Sequence, residues 1–156
     1  MEEVSAKIEQ LRLEQKELVF DQFDEETAWE IGSRIRRKAV EGGFPVAVSV
    51  TVNRRRLFGC SMPGAAAIND DWVRRKENMV YRFQKSSYEM ALYTRMKGYD
   101  LKQQYGFELS EYAAAGGSVP IVLRGTGVVG AITVSGLAEH EDHGLVVSVI
   151  REYMDK

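Results

Sequence analysis

The chain has 156 residues, 44% hydrophobic and 28% charged, with a formal net charge of −2, the balance of a soluble globular protein rather than of a disordered or membrane one. This length predicts one domain spanning residues 1–156, which hides roughly 68–70% of the unfolded chain's surface on folding. So small a net charge sets up no global field for nucleic acid or an acidic membrane. No run reaches the roughly 18 apolar residues of a membrane span, and the acidic, amphipathic N-terminus is unlike a signal peptide. The expectation is a cytoplasmic protein with no nucleic-acid or membrane partner.

In chain order, residues 3–16 set Val4, Ile8 and Leu11 at helical spacing among Glu, Lys and Gln, an amphipathic helix whose narrow apolar stripe is offered in part to another subunit. Leu18-Val19-Phe20 with Phe23 reads as a short strand. Asp24 then caps a second helix through Trp29, Ile31, Ile35 and Ala39, which stops at Gly42-Gly43. Residues 44–52 are rich in β-branched side chains, and Asn53-Arg54-Arg55 turns them back into residues 56–62, a hairpin. Arg54-Arg55-Arg56 reads as a solvated turn. The single cysteine, Cys60, sits in the apolar run Leu57-Phe58-Gly59-Cys60 and reads as a buried structural thiol, with no second cysteine for a disulfide or a CxxC pair.

Beyond Pro63-Gly64, Asn69 or Asp70 is expected to cap the longest helix, over about residues 71–97, with Gly98 as its stop. Residues 99–117 are mixed, with a short helical piece at residues 101–105. Residues 119–123 and 128–135 read as strands joined by Gly125-Thr126-Gly127, and a last helix covers residues 138–154. That glycine turn joins two strands and opens no helix, so the amide cradle of a phosphate loop is missing. Two hairpins and one further strand predict a mainly antiparallel sheet with helices on its faces, an α+β fold.

Two charges stand where charges should not. At about 100° per residue, Trp72, Met79, Phe83, Ser87, Met90 and Thr94 share one face of the predicted long helix, and Lys76 lies along its middle. Asp142 lies on the face of the last helix marked by Leu145, Val146, Val149, Ile150 and Tyr153. An unpaired buried charge is costly, so the two residues suggest a pair, or two groups lining one cavity. The plainer alternative has Asp142 favouring the helix N-terminus and Lys76 snorkelling to the sheet edge. Beside Asp142, His140-Glu141-Asp142-His143 offers side chains that iron accepts. His140 nevertheless points about 160° from Asp142 on a helix, so the four cannot face one ion. A solvated first turn of the helix is the alternative.

The run Gly116-Gly117-Ser118-Val119-Pro120-Ile121, followed by residues 127–136 and an acidic helix start at Asp142, resembles the signature of the haem-degrading, GlcG-like family. Trp72-Val73-Arg74-Arg75-Lys76 with Phe83 resembles that family's long-helix motif. Asn69-Asp70-Asp71-Trp72 and Asp142-His143 are similar to a branch of short proteins kept as an uncharacterised protein family. The resemblance implies a profilin-like fold with a five-stranded antiparallel sheet, a homo-oligomer, and haem, iron or another small molecule as ligand. It implies a site lined by Lys76 and Asp142 beside the bend at Ser135-Gly136. His140 and His143 depart from that family's usual pattern and would supply a metal or haem axial ligand if either ring faces the site. Thr133 stands where that family usually has glycine, which removes space on that face.

Overall fold

The computed structural model describes residues 1–155; Lys156, the last residue of the expected domain, lies outside the described residues. In chain order the elements are α1 (Glu2–Glu17), β1 (Val19–Phe20), α2 (Glu25–Gly42), β2 (Ala47–Val52), β3 (Arg55–Ser61), α3 (Ala67–Phe83), α4 (Ser87–Lys97), α5 (Leu101–Tyr105), β4 (Ser118–Leu123), β5 (Gly127–Ser135) and α6 (Glu139–Met154). The five strands form one sheet in the order β1-β4-β5-β2-β3. The fold is α+β, as expected.

Local chemistry accounts for most boundaries. Asp24 caps α2 by accepting the Thr27 N–H at 2.9 Å, and Gly43 ends the helix in a left-handed conformation. Asn53 and Arg54 take positive φ values of 51° and 64°, the pair that a two-residue hairpin turn needs to follow the twist of its strands.

Three expectations are corrected. The sheet is mixed, because β1 runs parallel to β4 through Val19↔Val122 and Phe20↔Leu123. Hairpin turns dictate antiparallel pairing only between neighbours in sequence, and no turn joins β1 to β4. The predicted helix over 71–97 is two helices: Gln84 turns left-handed at φ 60° to close α3, and Ser86 caps α4 by accepting the Glu89 N–H at 3.1 Å. The Ser86-x-x-Glu89 spacing is the sequence signal for that new start, and the unbroken apolar periodicity hid it. At the front of α3 the cap is Ala66, whose N–H is taken by the Asn69 side chain at 2.9 Å.

The two faces of the sheet differ in chemistry. Val48, Val50, Val119, Ile121, Ile132 and Val134 join Ile31 and Ile35 of α2 and Val149 and Ile150 of α6 in the main core. The alternate residues, among them Ser49, Thr51, Ser118, Thr133 and Ser135, point the other way and are also buried. There the Thr51 hydroxyl lies 2.9 Å from the Tyr81 hydroxyl of α3, and the Ser87 hydroxyl at the start of α4 accepts the Ser118 N–H at 3.0 Å. Helix α1 is tied down within the chain: Ile8 and Leu11 are buried, and the Arg12 guanidinium donates to the sequestered Glu89 carboxylate at 3.0 Å. Cys60 is half-buried on edge strand β3, and burial pushes its thiol up.

Candidate functional site

Helices α3 and α6 lie on opposite faces of the sheet, and their charges meet around the end of β5. The Lys76 ammonium donates to Asp142 Oδ2 at 3.0 Å and to the Val134 carbonyl at 3.2 Å. Both side chains are sequestered, Lys76 at 3% and Asp142 at 1% exposure. Asp142 also accepts the Leu137 N–H at 2.9 Å on Oδ1 and the Gly136 N–H at 3.3 Å on Oδ2. Its carboxylate therefore holds the strand-to-helix bend as well as the lysine. Burial pushes the Lys76 amine down and the Asp142 carboxyl up, and in each case the partner's charge opposes the shift.

Two glycines make room for the pair. Gly117 has φ +136°, and a Cβ there would run into the Val134 carbonyl and stand 2.7 Å from Lys76 Nζ. Gly136 has φ +151°, and a Cβ there would meet the Pro45 carbonyl. Side chains at either position would push the lysine, the bend or both out of place.

The pair forms one wall of a cavity of about 310 Å³. Ser135, Gly136 and Leu137 contribute the strand end, Asn69 and Trp72 the first turns of α3, and Ala115 and Glu139 the remainder. Glu139 is fixed by two bonds from the Arg95 guanidinium, at 2.5 and 3.1 Å, and by the Gly116 N–H at 3.0 Å. Burial pushes its carboxyl up, but the Arg95 hydrogen bond and the Gly116 N–H outweigh this and hold it below the usual carboxylate range. Such an arrangement can bind a small polar molecule against a fixed, internally neutralised charge pair.

Lys76, Asp142, Ser135 and Gly136, the four ligand-binding candidates from the sequence, are thus gathered around one cavity. Glu139, Arg95 and the close approach of Gly117 were not singled out, and Asn69 was read as a helix cap and family motif residue rather than as part of the site. Arg95 and Glu139 are ordinary exposed-face charges in their own helices, and only the approach of α4 to the start of α6 joins them.

The histidines lie elsewhere. His140 is exposed on the first turn of α6. His143 is buried with Nε2 2.7 Å from Glu14 Oε1 of α1, its ring stands 5.2 Å from that of Tyr88, and its Nδ1 is buried without a hydrogen-bond partner. Neither lines the cavity. Among the described residues no group of three or more His, Cys, Asp or Glu side chains is arranged to hold a metal ion. Thr133 is fully buried, hydroxyl to hydroxyl with Ser118 at 2.8 Å, and fills space between β4 and β5 outside the cavity. None of the cavity's nine lining residues is the His, Cys, Met or Tyr that commonly holds haem iron, and Lys76 already has two acceptors. The residues present do not fit a haem ligated from within this cavity.

A mixed five-stranded sheet with a buried lysine–aspartate pair at the end of its β4–β5 hairpin defines a small α+β fold class. The model of the haem degrading protein HbpS-like family matches residues 23–151, and the chain belongs to that family. A UPF0303 protein of Azotobacter vinelandii is 40% identical over 149 residues, covering 96% of this chain and 90% of its own. Another, from Acidobacterium capsulatum, is 44% identical over 133 residues, with 85% and 81% covered. Among solved structures, the Ybr137w protein superposes with a TM-score of 0.87 at 28% identity, over 95% of this chain and 87% of that one. The PduOC:heme complex shares the fold at a TM-score of 0.65 and 16% identity, over 78% and 88%.

Proposed function

We propose that this protein is a cytoplasmic, homo-oligomeric single-domain module that binds a small polar metabolite in the Lys76–Asp142 cavity. The observation that carries the reading is a pre-formed cavity of about 310 Å³ whose charge pair is held in place before any ligand arrives. Such pre-organisation leaves little ordering cost to a ligand that hydrogen-bonds Ser135, Asn69 and Glu139. Among the described residues no helix is long and apolar enough to cross a membrane. Trp29, Val40, Ile68 and Leu109 are exposed apolar side chains that support self-association. Light scattering behind a sizing column tests the oligomer, and a monomer at working concentration removes that part of the reading.

Haem or iron is the second reading, favoured by the family's description and by the solved PduOC:heme complex. Exposed His140 is the imidazole best placed to meet iron brought to the surface. Haem, when bound, would supply its own oxygen chemistry, and the residues here would only hold it. The deciding experiment titrates haemin into the purified protein, following the Soret band, beside a thermal-shift screen of small carboxylates and phosphates. Stabilisation by a small acid that Lys76→Met abolishes, with no Soret shift, supports metabolite binding. A saturable Soret shift that His140→Ala weakens turns the assignment to haem.

A further inference from the structure

An ammonium has three hydrogens to donate. Two of the Lys76 hydrogens are taken, by Asp142 Oδ2 at 3.0 Å and by the Val134 carbonyl at 3.2 Å. Among the described residues the third position on Nζ has no acceptor, and Lys76 is a wall of the 310 Å³ cavity. Lys76 thus lines the cavity with one donor position left over on its amine and a carboxylate in contact to exchange protons with it. Lysines used for covalent chemistry share these features: desolvation, a neighbouring acid–base group and room for a carbonyl carbon.

We propose that Lys76 captures a small aldehyde or ketone as an imine in this cavity, an inference that rests on the cavity being a ligand site. The reaction is Lys–NH3⁺ plus O=CRR′ giving Lys–NH⁺=CRR′ plus H2O. Asp142 takes a proton from the ammonium, and the freed lone pair forms the new C–N bond as the carbonyl π pair moves to oxygen. Proton return through Asp142, together with a second proton from nitrogen, releases that oxygen as water. No oxidant or reductant enters, and the net charge is unchanged.

Charge conservation is what selects this ligand class. The iminium keeps one N–H and the positive charge, so Asp142 retains its partner. Acylation of Lys76 would neutralise the nitrogen and leave a buried carboxylate alone, which is strongly unfavourable. The other walls agree with a short, polar carbonyl compound: the Ser135 hydroxyl and Asn69 amide for oxygen substituents, and Trp72 for a few carbons. Gly117, where a Cβ would stand 2.7 Å from Nζ, packs closely on the amine without displacing it.

The test is reductive trapping of the intact protein with butanal or pyruvate and sodium cyanoborohydride, followed by intact mass and peptide mapping. A single secondary-amine adduct at Lys76, formed before exposed Lys85 and Lys97 react, is the expected result. Lys76→Arg should abolish that adduct. Asp142→Asn should slow trapping at residue 76 by about 100-fold, the lower end of what a positioned acid–base group contributes, with surface lysines unaffected. Should Asp142→Asn fail to fold, the position of the adduct in the unaltered protein still decides. Labelling of Lys76 no faster than of Lys85 overturns the proposal. Butanol and lactate, which lack the carbonyl, separate the two levels of inference. If they raise the melting temperature and no adduct forms, the cavity binds ligands and the imine is wrong; if neither they nor the carbonyl compounds shift it and no adduct forms, both readings fall.

Discussion

Lys76 and Asp142 are each intolerable in the core without the other. Removing one partner leaves an uncompensated buried charge, so Lys76→Met or Asp142→Leu alone should cost about 3–5 kcal/mol, whereas the double replacement should recover most of it. Urea unfolding of the three variants, at constant m, checks the cycle. Gly117 gives a second test beside the same pair. Gly117→Ala combines a left-handed backbone with a Cβ driven onto the Val134 carbonyl and should cost about 1–3 kcal/mol. Gly125→Ala, at φ +80° with nothing within 4 Å of the new Cβ, should cost visibly less in the same thermal melts. At this scale the sequence was legible where a charge stood on an inward helix face, as Lys76 and Asp142 do. It was silent on Glu139, whose half-buried state depends on Arg95 and Gly116 arriving from elsewhere.

The division of one expected helix into α3 and α4 is the clearest lesson among the elements. Ser86 and Gln84 act locally, as a cap and a left-handed stop, yet the apolar spacing from Trp72 to Thr94 continues across them and reads as one helix. Ser86→Ala should lose about 1 kcal/mol with the cap. Gln84→Gly should gain about 0.5–1 kcal/mol, because glycine adopts φ 60° without a Cβ penalty and the Gln84 carbonyl still accepts from Gln15 at 3.0 Å. Chemical denaturation of both variants tests whether the break is set by these two residues. Strand β1 teaches the converse: two residues long and joined by no turn to its neighbour, it takes its parallel sense from where α1 and β4 place it.

For the molecule as a whole, one acid-sensitive contribution comes from the Arg95–Glu139 tie. The folded Glu139 carboxyl lies below its ordinary value of 4.5. The folded state therefore binds this proton less readily than the unfolded chain does. That contribution is present above about pH 4.5 and is lost as pH falls through the folded value. Glu139→Gln should flatten this part of the acid limb, read as melting temperature between about pH 3 and pH 6. Asp142 and Glu77, pushed up mainly by burial, act in the opposite sense, their folded forms gaining relative stability as pH falls. What the sequence by itself determined were the periodicities, caps and turn residues, the inward charges at Lys76 and Asp142, and the family motifs around Gly116–Gly117 and Ser135–Gly136, because each depends on neighbours within a few residues. Only the tertiary structure decided that Lys76 pairs with a residue 66 positions away, that Arg95 closes on Glu139, and that His143 turns to Glu14 rather than to the cavity. Periodicity tells which face of an element is buried; which partner waits there depends on how the sheet brings distant segments side by side.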